Sequence, residues 1–192
     1  MFVKKRCAWV GRSNNTLMIR YHDKEWGVPV HNDQKLFEFL VLEGAQAGLN
    51  WQTILTKRTG YKKAFYNFNP KKVALMTEKD IKRLMNNSGI VRNRLKIKSA
   101  INNARQFLKI QKEFGSFNAY IWKFVNNKPI KNKVRSIKDI PATTKESDKM
   151  SEDLKKRGFT FVGATICYAF MQAVGMVNDH EITCFRYNKV TK

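Results

Sequence analysis

Acidic side chains are scarce in this sequence. Its 192 residues carry 15 Asp and Glu against 37 Lys and Arg, a formal charge of +22. That imbalance argues against cationic partners and points to a polyanion, most often nucleic acid. An AT-rich coding bias toward Lys would raise the count but not its clustering. Residues 56–112 hold 16 basic and 2 acidic side chains, a surplus of 14 out of 22. Cysteine is also sparse, and three thiols in a reducing compartment argue against a disulfide framework, leaving metal binding or plain burial. No apolar run approaches the ~20 residues that span a bilayer. The basic start MFVKKRCAWVGRSNN lacks the apolar stretch of a secretory signal, so a cytoplasmic protein is expected. Sustained strand alternation, internal repeats and low-complexity tracts are missing as well. So are the HExxH and HxE with PCxxC patterns of catalytic zinc proteins.

What is present reads as one all-α domain spanning residues 1–192, with 43% hydrophobic and 12% aromatic residues to form its core. Apolar spacing predicts helices over Asp33–Gly44, Trp51–Lys57 continuing through Tyr61–Phe68, Thr77–Asn86, Arg92–Lys112, Phe117–Val125, Ser147–Lys156 and Val162–Ala173. Thr77 and Ser147 are the expected caps of their helices. Residues 126–146, with two prolines and little periodicity, read as an exposed connection, and residues 185–192 as a short basic tail. The turn Asn86-Asn87-Ser88-Gly89 joins two of the helices, and Gly89 is expected to supply a positive backbone dihedral. Arg92, Arg94, Lys96 and Lys98 follow it, gathering amides and cations at a helix start in a way that suits a phosphate. A bare hairpin between helices is just as often structural.

Two features of side-chain chemistry stand out. Glu43 follows Leu36, Phe37, Phe39, Leu40, Val41 and Leu42, and lies on one helical stripe with Leu36, Leu40 and Ala47. An ionised carboxylate in that setting is costly unless something pairs with it. Cys7 and His22 lie near the start of the chain, and His180 and Cys184 near its end. Two thiolates and two imidazoles suit zinc and would fill a tetrahedron, leaving a closed, structural site. The alternative is that Cys7 and His22 are core residues. Cys167 reads as a plain buried cysteine and His31 as a solvated residue.

CAWVG at Cys7, YHDKEWGVP at Tyr21, LEGAQAGLNWQTIL at Leu42, KKRGFTFVGATICYAFMQAVGMVNDH at Lys155 and the closing HEITC together resemble the 3-methyladenine DNA glycosylase I family. The resemblance runs from about Cys7 to Cys184. It implies a helix-hairpin-helix DNA glycosylase fold whose terminal segments are joined by structural zinc on Cys7, His22, His180 and Cys184. It also implies excision of 3-methyladenine flipped out of alkylated double-stranded DNA; a monomer is expected.

The resemblance supplies a partner for Glu43, because a methylated adenine carries positive charge and an amine that a buried carboxylate can accept from. Trp51 and Tyr21, with Trp9 and Trp26, would provide aromatic faces for the base. For Trp26 the alternative is support of the clasp. Gly48 and Leu49 are placed to enter the base stack as a wedge, or else are a helix-terminating glycine and a core leucine. Gly89, Arg92, Arg94 and Lys96 are the expected DNA contacts. No lysine stands in a setting that marks a Schiff-base nucleophile, so a monofunctional enzyme with water as nucleophile is expected. The competing class is a zinc-stabilised DNA-binding protein without chemistry, which has no use for a carboxylate among aromatic rings.

Overall fold

The computed structural model of the chain describes residues 4–11 and 14–190. A four-residue helix α1 (Ala8–Gly11) is followed by α2 (Thr16–Lys24), α3 (Asp33–Gln46), α4 (Trp51–Ala64) and α5 (Pro70–Ala74). The hairpin helices are α6 (Glu78–Met85) and α7 (Arg94–Phe114), after which come α8 (Phe117–Ile121), α9 (Lys145–Lys156) and α10 (Ala164–Ala173). Asparagine opens many of them. Asn15, Asn32, Asn50, Asn69 and Asn93 each accept from a backbone N–H in the first turn of α2, α3, α4, α5 and α7. Thr77 caps α6 as expected, its N–H donating to Asp80 at 3.0 Å. In α9 the cap is Thr144, not Ser147: Ser147 lies inside the first turn and reciprocates, accepting from the Thr144 N–H at 2.8 Å.

The all-α expectation holds with one addition. β1 (Ile130–Lys131) and β2 (Val177–Asn178) pair in parallel, Ile130 opposite Val177 and Lys131 opposite Asn178, and a bridge from Val134 to Glu181 prolongs the pair. Residues 126–146 are therefore stitched to the segment that carries His180, and Val134 is buried. The basic tail is likewise packed as far as it is described. The Phe185 N–H donates to Lys5 at 2.9 Å and Val190 is buried, while Thr191 and Lys192 lie outside the described residues.

Helix α3 runs through the core and packs on α4, α7, α8 and α10. Leu36, Phe37, Phe39, Leu40, Val41 and Leu42 are all buried, each contributing roughly 1.5–3 kcal/mol by removing apolar surface from water. Cys167 is buried as expected. His31 is exposed but engaged, hydrogen-bonded to Asn118 at 2.8 Å, with its ring 4.4 Å from that of Trp122 at a tilt of 32°.

The turn between α6 and α7 departs from the sequence reading. Positive φ among the described glycines belongs to Gly27, Gly48, Gly115, Gly158 and Gly175, not to Gly89. Gly89 serves a close approach instead. It packs against Gly60 of α4, where an added Cβ would overlap the Gly89 carbonyl group. Lys57 Nζ donates to the Ser88 carbonyl at 2.6 Å, and the Tyr61 hydroxyl accepts from the Val91 N–H at 3.2 Å. One face of α4 thus holds the turn.

Gly60→Ala tests this docking. Alanine in place of glycine inside a helix is normally favoured by about 1 kcal/mol, but the clash adds an overpacking cost of roughly 1–3 kcal/mol or more. The variant is expected to melt several degrees lower, at about 2–4 °C per kcal/mol for a domain of this size. An unchanged or raised melting temperature would mean that the turn is not held against α4.

Candidate functional site

Glu43 sits at the bottom of a cavity of about 360 Å³ lined by Trp9, Met18, Tyr21, Trp26, Glu43, Gln46, Trp51, Ile137, Ile140, Ala169 and Gln172. That volume is in the range of small-ligand sites, ~300–1,000 Å³. The stripe read from the sequence places the carboxylate as expected, with the residue 3% exposed. Among the described residues no hydrogen-bond donor meets it, and burial pushes its pKa up to about 8. The partner question raised by the sequence is therefore not answered by the described residues.

The walls are aromatic. The Tyr21 and Trp51 rings lie 5.3 Å apart at 49°, and those of Trp9 and Trp26 lie 5.1 Å apart at 79°. The indole N–H groups of Trp9 and Trp51 are buried and have no acceptor among the described residues. A cavity lined by flat rings and an unpaired carboxyl suits a planar ligand, and a cationic one best. No lysine lines it.

Three elements converge to shape this site. Arg58 on α4 donates to both carboxylate oxygens of Glu25 at 3.0 and 2.7 Å, and to Glu38 on α3 at 2.7 Å. Lys35 adds a 2.9 Å contact to Glu38. The cluster clasps the end of α2, α3 and α4, which carry Tyr21, Glu43 and Trp51 respectively. Residues 126–146 contribute what the sequence did not suggest. Ile137, 55% exposed, and Ile140 form part of the cavity wall, held there by the short parallel ladder. Gln172 and Ala169, on α10, and Met18 and Gln46 were also missed, because isolated apolar and amide side chains carry no distinctive signal.

Cys7, His22, His180 and Cys184 come together, all buried, with one ligand atom from each lying within 4.8 Å of the others. Cys7 Sγ is 3.4 Å from His180 Nδ1, while Cys184 Sγ is 3.5 Å from His22 Nε2 and 3.7 Å from His180 Nδ1. A tetrahedral ion with ordinary sulfur and nitrogen bond lengths would set those edges at about 3.6 Å. The other imidazole nitrogens are engaged: His22 Nδ1 with Asp23 at 2.8 Å, and His180 Nε2 with the Trp26 carbonyl at 3.0 Å. Partners of that kind fix the orientation of ligand histidines. Backbone N–H groups of Glu181 and Arg186 donate to the sulfurs of Cys7 and Cys184 at 3.3 and 3.4 Å. The donor set fits a closed site for a metal ion. Trp26 belongs to both regions, since its ring lies 4.7 Å from that of His180 and also lines the cavity.

Beyond the end of α3, Gly48 has φ +73° and Leu49 is 39% exposed, so Leu49 is not a core residue. Of the hairpin cations, Arg92 is exposed with no partner among the described residues, whereas Arg94 pairs with Glu78. Lys96 donates to the carbonyls of Ala45 and Ala47.

The methyladenine glycosylase family profile matches residues 9–187. The chain is 49% identical over 183 residues to DNA-3-methyladenine glycosylase 1 of Escherichia coli (strain K12), covering 95% of this chain and 97% of that protein. It is 50% identical over 179 residues to DNA-3-methyladenine glycosylase of Haemophilus influenzae, covering 93% of this chain and 96% of that one. A crystal structure of 3-methyladenine DNA glycosylase I superposes with a TM-score of 0.91 at 49% identity, over 94% of this chain and 98% of the other. A structure of the Staphylococcus aureus enzyme, determined for its 3-methyladenine recognition, gives 0.90 at 38% identity over 94% and 95%.

Proposed function

Because the chain belongs to the methyladenine glycosylase family, we propose that it is a base-excision enzyme that hydrolyses the N-glycosidic bond of 3-methyladenine in DNA and leaves an abasic site. The observation that carries this reading is Glu43, a buried carboxyl in an aromatic cavity with no hydrogen-bond partner among the described residues. A flipped, methylated adenine supplies the missing donor and positive charge together, and the rings of Tyr21, Trp51, Trp9 and Trp26 enclose it. Methylation already weakens the glycosidic bond. The enzyme's task is then to hold the flipped nucleotide so that water can attack, rather than to provide a strong base. The absence of lysine from the lining, among the described residues, supports a monofunctional hydrolase with no lyase step.

The Cys7, His22, His180 and Cys184 cluster is proposed to hold a structural zinc ion. Bound there, the ion would cross-link the terminal segments behind Trp9 and Trp26, leaving no coordination position for substrate. The helical hairpin α6–α7 is the proposed DNA-binding element, with Leu49 the wedge that fills the gap left by the flipped base. The enzyme acts as a monomer on alkylated duplex.

Incubating the protein with methylated duplex and following base release by chromatography, with alkali-labile strand breaks in parallel, tests the activity. Binding without released 3-methyladenine would leave only a DNA-binding protein. Among the hairpin cations Arg92 is the expected phosphate contact. Arg92→Ala should weaken binding to damaged and intact duplex alike and reduce the slope of log affinity against log salt by about 0.9. An unchanged slope would make Arg92 an ordinary surface charge.

A further inference from the structure

We propose that Lys96 is a positioning residue that locks the wedge turn to the DNA-binding hairpin, rather than one of the phosphate contacts. The proposal rests on the excision reading above. Helix α3 ends at Gln46, and its last carbonyls have no partner within the helix. Lys96, in the first turn of α7, reaches across and donates from Nζ to the carbonyls of Ala45 at 2.8 Å and Ala47 at 2.6 Å. A cation at this end of α3 also meets the negative pole of the helix dipole.

The two carbonyls bracket Gln46, which grips the same turn from the other side. Its Nε2 donates to the Leu49 carbonyl at 3.0 Å, and its own carbonyl accepts from the Leu49 N–H at 2.6 Å. Leu49 is thereby held, 39% exposed, at the apex of a turn that links Glu43 on α3 to Trp51 at the start of α4. The far end of the hairpin is fixed as well, through Lys57, Gly60 and Tyr61 on α4. Hairpin, wedge turn and cavity therefore form one rigid frame, and an ammonium group closes it. Burial lowers the pKa of Lys96, the direction expected for an ammonium turned inward rather than out to a phosphate.

Docking of the hairpin on DNA then sets where Leu49 meets the base stack. This matters while the lesion is still paired and must be pushed out. It matters little when the opposite strand offers no base. The test uses Lys96→Met in the full chain. An adenine tract methylated with dimethyl sulfate is annealed either to its complement or to a strand carrying abasic residues opposite the tract, and release of 3-methyladenine is followed under single-turnover conditions. A small displacement of catalytic elements can cost roughly a hundredfold in rate, and a loss of that order is expected on the paired substrate. The abasic-opposed substrate should recover most of it. The salt slope for intact duplex should stay at the wild-type value, and Lys96→Arg, which keeps donors for both carbonyls, should restore excision on paired DNA.

An equal loss on both substrates would place Lys96 among the residues that shape the cavity and overturn the proposal. So would a salt slope reduced by about 0.9 with the excision rate intact, the mark of a phosphate contact. If Lys96→Met melts too early to assay, Lys96→Gln, which retains one N–H donor group, carries the same comparison. Failure of the wild type to release 3-methyladenine from either substrate would instead overturn the excision reading itself.

Discussion

Replacing Glu43 by Gln is expected to leave the fold intact and to lower kcat/KM for 3-methyladenine excision roughly ten- to hundredfold. Glutamine keeps the size and one acceptor of the side chain but loses its charge. Hydrogen bonds to charged groups are worth about 1.5–3 kcal/mol, and neutral ones about half that. At about 1.4 kcal/mol per factor of ten, the difference between an ionised partner and a neutral one reaches this range when the cation is also left unneutralised.

The pH profile makes the expectation sharper. Burial raises Glu43 to about 8 from an ordinary value of 4.5, so in the free enzyme near neutrality most molecules hold the protonated form. Excision at low substrate reports the free enzyme, so kcat/KM should climb with pH and level off near that value. In the complex the cationic nucleotide favours the carboxylate, so the corresponding limb in kcat should lie at lower pH. Both limbs should vanish in Glu43→Gln.

Stability follows with the opposite sign. Between 4.5 and about 8 the folded chain keeps a proton that the unfolded chain has released. Glu43's contribution is therefore complete below the lower value and is lost as pH rises through the upper one. Glu43→Gln should gain melting temperature relative to wild type as pH is raised from about 4.5 to about 8, and hold that gain above it. A variant with wild-type kcat/KM and an unaltered pH profile would remove Glu43 from the reacting site.

The second large effect is expected at the metal cluster. Purified protein should contain about one zinc per chain, and both Cys184→Ser and treatment with a strong chelator should lower the melting temperature steeply. Structural zinc contributes on the order of 10–16 kcal/mol in small finger peptides. The total stability of a domain is commonly about 5–15 kcal/mol. Even a fraction of the zinc term would therefore be decisive, because a bound ion would tie Cys7 and His22 to His180 and Cys184 across nearly the whole chain. Excision should survive in whatever fraction remains folded at low temperature, since the cluster bears on the cavity only through Trp9 and Trp26. Their rings pack at 5.4 Å from His22 and 4.7 Å from His180. A zinc content well below one per chain, with a melting curve indifferent to chelator, would leave the four residues as plain core.

Several parts of this molecule are legible in one dimension. Helix positions follow from apolar spacing and caps, both of which act within one or two turns, so α3, α6 and α7 lie within a few residues of their expected bounds. The environment of Glu43 is legible for the same reason: a stripe of residues three and four apart stays together in any helix. Cysteine and histidine announce metal chemistry by type, although spacing alone leaves Cys7 and His22 open as core residues. The local pattern presents Lys96 as a phosphate contact and Gly89 as a positive-φ glycine, and it gives no sign of the parts played by Gly60 and Ile137.

Those positions were decided by elements far apart in sequence that meet in the fold. Gly60 meets Gly89, Lys96 meets the end of α3, and the ladder from Ile130 to Val177 swings Ile137 into the cavity wall. The sequence by itself placed the long helices from α3 onward, though not α1, α2 or α5, and determined which side-chain chemistry is available. Only the tertiary structure decided which cations remain free for a phosphate and which are spent on carbonyls. A long charged side chain is committed by whichever acceptor the packing brings within about 3 Å of it, and that neighbour is written nowhere in the local pattern.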